Sequence, residues 1–152
     1  MKRKQLTLAH YVHRRNGVPL GHSASLKNML YRSLGAGSFA RFWQYWNPIW
    51  GYALGSYVYT PLQKVMPTAL AHILTFVVSG AIHDGVMTLV RGSLAILFTP
   101  WFFLMGVGVI VGEAMNITYA NYEWPVRVAI NLVHIFGCLL LVVGGTQLVG
   151  LL

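Results

Sequence analysis

Residues 76–86 read Phe-Val-Val-Ser-Gly-Ala-Ile-His-Asp-Gly-Val and set His83 beside Asp84 in a run that is otherwise apolar or small. His72, Thr75, Ser79 and His83 stand at i, i+3, i+7 and i+11. At about 100° per residue, that spacing keeps the four on one stripe of a helix. A hydroxyl or imidazole buried without a partner costs about 1 to 3 kcal/mol, so the stripe is expected to face protein or a wet cavity rather than lipid. The chemistry open to it is proton transfer, because a neutral imidazole can accept the proton of an alcohol as it attacks. The plainer reading of His83 is a neutral ring donating one hydrogen bond between helices. Asp84 sits about 100° around the helix, on the side of Thr88 and Arg91, and is expected to pair with Arg91 or to remain protonated.

The elements that hold these residues follow from composition. Of 152 residues, 56% are hydrophobic and 9% charged, with a mean hydropathy of +0.58. Soluble domains carry roughly 25% charged residues, so the sequence predicts an all-α integral membrane protein. Three stretches have the roughly 20 apolar residues that a crossing requires: 68–90, 93–115 and 126–152. Pro100 is expected to kink the second, and the very short 91–92 connection makes the first two a tight antiparallel hairpin.

The formal charge is +8, and nine of the eleven Lys and Arg lie between Lys2 and Lys64. With the cations at one end and no basic groove, nucleic acid is not an expected partner. The asymmetry instead places the N-terminal side in the cytoplasm and the C-terminus outside, in the inner membrane if the source is bacterial. No apolar core or cleavage site follows the first basic cluster, so that segment is expected to be retained. The single Cys138 cannot build an intrachain disulfide framework.

Three regions are expected: a basic segment (1–38), an aromatic segment (39–66) and the transmembrane domain (67–152). The aromatic segment is broken by Pro48, Gly51, Gly55 and Pro61, so it is expected to form short helices that lie in the interface or re-enter the membrane. Trp43, Trp46, Trp50, Tyr52, Tyr57 and Tyr59 suit the headgroup level. His10 and His13 have metal-like spacing, but no carboxylate or cysteine lies near them, and a solvated basic segment is favoured. His83 and His134 could in principle ligate a haem, although no attachment motif supports it. Glu113, Asn116 and Glu123 could line a route to the site, and helix-end solvation explains them equally well.

The order Phe42-Trp-Gln-Tyr-Trp-Asn47, Tyr57-Val-Tyr-Thr-Pro-Leu62, then Thr75 to Gly85 resembles the signature region of the membrane-bound O-acyltransferase family. The resemblance covers roughly Phe39 to Arg91, and the later spans only by topology. It implies transfer of an acyl group from a thioester, acyl-coenzyme A or an acyl carrier protein, to a hydroxyl acceptor, with no tightly bound cofactor and no metal. His83 matches the family's histidine and Asn47 its second polar position. On that match His83 is the general base, and Asn47 orients the acceptor or donates to the thioester oxygen. Ser79, Trp46, Tyr59, Thr75 and Asp84 are then expected to contact substrate.

The chain departs from the family pattern at Gly55 and Ser56, where an Arg-Asp pair is common. Family members also have eight or more spans, which implies that this chain assembles with copies of itself or with a partner membrane subunit, in contact with membrane lipid. Gly106, Gly108, Gly112, Gly144 and Gly145 would permit close helix contacts in such an assembly. A catalytically inactive scaffold or subunit of a larger complex is the rival reading.

Overall fold

The computed structural model describes residues 6–148; Lys2, Arg3 and Lys4 of the basic cluster and residues 149–152 of the expected third span lie outside them. Among the described residues the chain is helical and contains no strand. The order is α1 (Leu8–Asn16), α2 (Ser25–Leu34), α3 (Phe39–Tyr45), α4 (Pro48–Leu54), a π-helical turn (Gly55–Tyr59), α5 (Thr60–Leu62), α6 (Thr68–Arg91), α7 (Phe98–Ala114) and α8 (Trp124–Leu148).

The aromatic segment folds as short helices interrupted where its composition demands. Asn47 takes the left-handed conformation at φ 39°, and Pro48 opens α4 at a position where its missing N–H leaves no bond unmade. The carboxamide oxygen of Asn47 accepts the backbone N–H of Trp50 at 3.2 Å, which caps the new helix. The basic segment is not a detached tail. Tyr11 of α1 meets Tyr52 of α4 edge-on at 5.5 Å, and Tyr31 of α2 stacks on Trp124 of α8 at 5.2 Å.

Helices α6 and α7 pack antiparallel along their lengths, as the short connection predicts: Gly80 lies against Phe98 and Thr99, and Phe76 against Gly106. A Cβ at Gly80 would stand 2.6 Å from the carbonyl oxygen of Phe98, so the approach requires glycine there. Phe39, Phe42, Phe76, Met105 and Val109 form the buried core between α3, α6 and α7. Gly106 is used inside the chain against Phe76, and Gly108 faces Phe39, so neither is spare for the helix contacts expected between copies. Gly112, Gly144 and Gly145 do have open space beside them.

The second expected span is corrected. Its helix begins at Phe98 rather than at residue 93, and its 17 residues rise about 25 Å, short of the roughly 30 Å of a hydrocarbon core. The late start has a local cause. The Asp84 carboxylate accepts the backbone N–H groups of Leu97, Phe98 and Thr99 at 2.9, 2.8 and 2.7 Å. The next residue, Pro100, has no N–H to satisfy, so the orphan donors of the helix start are fully accounted for. Pro100 therefore lies in the first turn, where it needs no kink. Among the described residues two helices are long and apolar enough to cross a membrane, Thr68–Arg91 with mean hydropathy 1.7 and Trp124–Gln147 with 2.3.

Candidate functional site

The stripe read from α6 faces inward. His72, Thr75, Ser79 and His83 all line a cavity of about 430 Å³ between α6, α3, α4 and the inner face of α7. Asn47, Trp46 and Tyr59 line the same cavity, so six of the seven expected site residues meet there. Asp84 does not. The residue is 6% exposed and its carboxylate is turned to the start of α7, so it holds a helix end instead of pairing with Arg91. The next turn of the same face does a related job: the Thr88 hydroxyl accepts the N–H of Ala95 at 3.0 Å.

His83 Nδ1 lies 2.6 Å from the backbone carbonyl oxygen of Ser79. A carbonyl only accepts, so Nδ1 carries the proton and donates, and the neutral ring keeps its lone pair on Nε2. Aromatic rings surround the imidazole. Trp50 meets it edge-on at 6.1 Å, while Phe98 and Phe102 lie at 5.4 and 5.2 Å. The Trp50 indole N–H donates to the Ser79 hydroxyl at 2.9 Å, so the one serine receives a bond from each of the two rings, on its hydroxyl and on its carbonyl.

Asn47 stands at the same end of the cavity. Its oxygen accepts the Trp50 N–H, while its amide nitrogen, which only donates, makes no hydrogen bond among the described residues and can serve a ligand. A second cavity of about 420 Å³ begins on the far side of this group, lined by Asn47, Trp50, His83, Val86, Met87 and Phe98. His83, Asn47 and Trp50 therefore form the boundary between two chambers.

The other end of the larger chamber is polar. Arg15 donates to the Gln44 side chain at 2.9 Å, and both residues line the wall with Glu113. Tyr59 accepts from the Gln63 amide at 2.8 Å and lies 5.3 Å from the His72 ring. Burial first, and the Glu113 carboxylate second, push the Tyr59 phenol above its ordinary range. His134 does not join His83. It lines a separate cavity beyond α3, with its own Nδ1 donating to the Ile130 carbonyl at 2.8 Å. Among the described residues no group of three or more His, Cys, Asp or Glu is placed to hold a metal ion.

Trp50 and the Phe98–Phe102 wall were not among the residues singled out for chemistry. A signal for Trp50 was present in the spacing Asn47-Pro-Ile-Trp50, where an N-cap carboxamide binds the N–H three residues on and so fixes the indole beside it. The phenylalanines carried no such signal, since their place depends on where α7 begins. Searches against protein-family models, curated proteins and solved structures found no match to the chain.

Proposed function

We propose that the chain is the core of a membrane-embedded acyltransferase. A thioester and an alcohol approach from the two chambers and meet at His83. The observation that carries this reading is the junction itself. A ring whose tautomer leaves Nε2 as the base and a carboxamide whose free end only donates stand together between chambers of about 430 and 420 Å³. Nε2 takes the proton as the acceptor oxygen attacks the thioester carbon, and the Asn47 amide donates to the carbonyl oxygen as negative charge develops there. Collapse expels the thiolate, which takes up the proton that His83 received. Balance therefore needs no metal, oxidant or covalent enzyme intermediate.

Membrane placement belongs to the same proposal. The apolar helix α8 has only 11% of its spanning window buried within the fold, and α6 has 28%. A core helix of a water-soluble domain would be covered, whereas here Leu89, Val133, Leu140 and Leu141 are 85, 69, 71 and 70% exposed. Lipid is the solvent that such faces suit. The resemblance of Phe42–Asn47, Tyr57–Leu62 and the His83 helix to membrane-bound O-acyltransferases agrees with both halves of the proposal. The thioester is acyl-coenzyme A or an acyl carrier protein, and the active particle contains further copies or a partner subunit.

The test is thioester turnover by the purified chain, alone and with co-purifying subunits, using octanoyl-coenzyme A and following free thiol. Wild-type protein turns over. His83→Ala lowers the rate by about 10² to 10⁴-fold while the particle mass is unchanged. A wild-type particle without turnover supports the scaffold reading instead, and a His83→Gln variant as active as wild type rules out His83 as the base.

A further inference from the structure

A third cavity, of about 890 Å³, lies on the other face of α3, enclosed by the 37–41 segment, the end of α7, the loop that follows and the first turns of α8. Two cations line it, Arg41 and Arg127, against one carboxylate, Glu113. Glu113 also lines the His83 chamber, as do Ala40 and Gln44, so the carboxylate belongs to the seam between the two cavities. The Nε of Arg127 is buried and has no hydrogen-bond partner among the described residues. A guanidinium donor withdrawn from water without an acceptor is costly, and it is relieved by an anionic ligand that accepts from it.

Below the arginines the walls change character. His134 lies two turns beyond Arg127 on the same face of α8, about 10 Å along the axis. Phe39, Gly108, Val111 and Gly112 complete that depth. Gly112 has no atom within 4 Å of the place a Cβ would take, and Val111 is 46% exposed, so this wall opens sideways along α7. The volume is many times that of a phosphate ion, whose size is close to a few water volumes of about 30 Å³ each.

We propose that this cavity binds an anionic glycerophospholipid, with its phosphodiester between Arg41 and Arg127 and its glycerol and first methylenes along Val111 and Gly112. The site rests on the membrane placement proposed above and not on acyl transfer. It puts a lipid headgroup at the level of the chain's cationic side, where anionic lipid concentrates basic residues.

Native mass spectrometry of the full chain in uncharged detergent, titrated with dioctanoylphosphatidylglycerol, dioctanoylphosphatidylcholine or inorganic phosphate, tests the site. The expected result is at least about tenfold tighter binding of the glycerol lipid than of the choline lipid, whose trimethylammonium sets a further cation against the two guanidinium groups. Arg127→Gln and Arg41→Gln each remove that preference, and Arg14→Gln, on an exposed residue of α1 outside the cavity, keeps it. Arg41 is exposed at the cavity rim, so its variant reports even if Arg127→Gln fails to fold. Equal binding of the two lipids, arginine variants that bind as wild type, or displacement of lipid by phosphate overturns the proposal, the last by making the cavity a site for a free anion. Extraction of the chain from membranes by alkaline carbonate would sink the membrane placement separately, and loss of thioester turnover leaves the lipid preference unaffected.

Discussion

The indole N–H of Trp50 meets the hydroxyl of Ser79 at 2.9 Å and ties the short helix α4 to α6 one turn before His83. The same serine accepts His83 Nδ1 on its carbonyl oxygen, so the position of the imidazole depends on an aromatic residue 33 positions away in the chain.

Trp50→Phe keeps a ring beside His83 and removes only the N–H. It is expected to cost about 1 kcal/mol of stability and to lower kcat about tenfold with a smaller effect on KM, because the ring is misplaced while the chamber persists. Steady-state thioester kinetics with a parallel thermal melt would read both. An unchanged kcat would mean that the bond has no part in positioning His83.

Asp84→Ala strips three backbone donors of their acceptor at the start of α7. The expected loss is about 3 kcal/mol or more, with Asp84→Asn intermediate because it retains one oxygen. Thermal unfolding in detergent compares the three proteins. If Asp84→Ala melts with wild type, the carboxylate is not what fixes the helix start.

Two glycines five residues apart should respond in opposite directions. Gly80→Ala drives a methyl to 2.6 Å from the Phe98 carbonyl oxygen and should destabilise by about 1 to 3 kcal/mol as α6 and α7 separate. Gly85→Ala meets nothing within 4 Å and should be neutral or stabilising by up to about 1 kcal/mol through helix propensity. Equal melting temperatures for the two variants would refute the close approach.

Tyr119, in the loop between α7 and α8, donates its hydroxyl to the buried carboxamide of Asn131, and burial raises its phenol from 10.0 to about 12. A raised folded-state value means that the neutral phenol is favoured in the fold. The associated stability is complete below pH 10.0 and is lost as pH rises toward about 12. Melting temperatures between those limits should fall more steeply for wild type than for Tyr119→Phe, which also loses about 1 kcal/mol at neutral pH with the Asn131 bond. Parallel curves would show that Tyr119 does not titrate differently in the folded chain.

How far the site could be read in advance differs from residue to residue. His72, Thr75, Ser79 and His83 were found together because a single helix positions them, and helical period is a local property. Tyr59 and Trp46 came from the family resemblance, and both line the chamber. The spacing of Asp84 points to Arg91, whereas its partners Leu97, Phe98 and Thr99 lie 13 to 15 residues further on, across a turn whose path sequence spacing does not describe. The length of α7 escapes the sequence for the same reason: hydropathy runs unbroken from residue 93, while the helix starts at Phe98, where the Asp84 carboxylate caps it.

Helix content, the two long apolar helices and the inward stripe of α6 follow from composition and period, because each depends on neighbours within a few turns. The capping role of Asp84, the shared lining of two chambers by Asn47 and His83 and the arginine-lined third cavity depend on contacts between distant segments. Those contacts are selected by packing and by the need to satisfy every buried donor, which act on the folded chain as a whole.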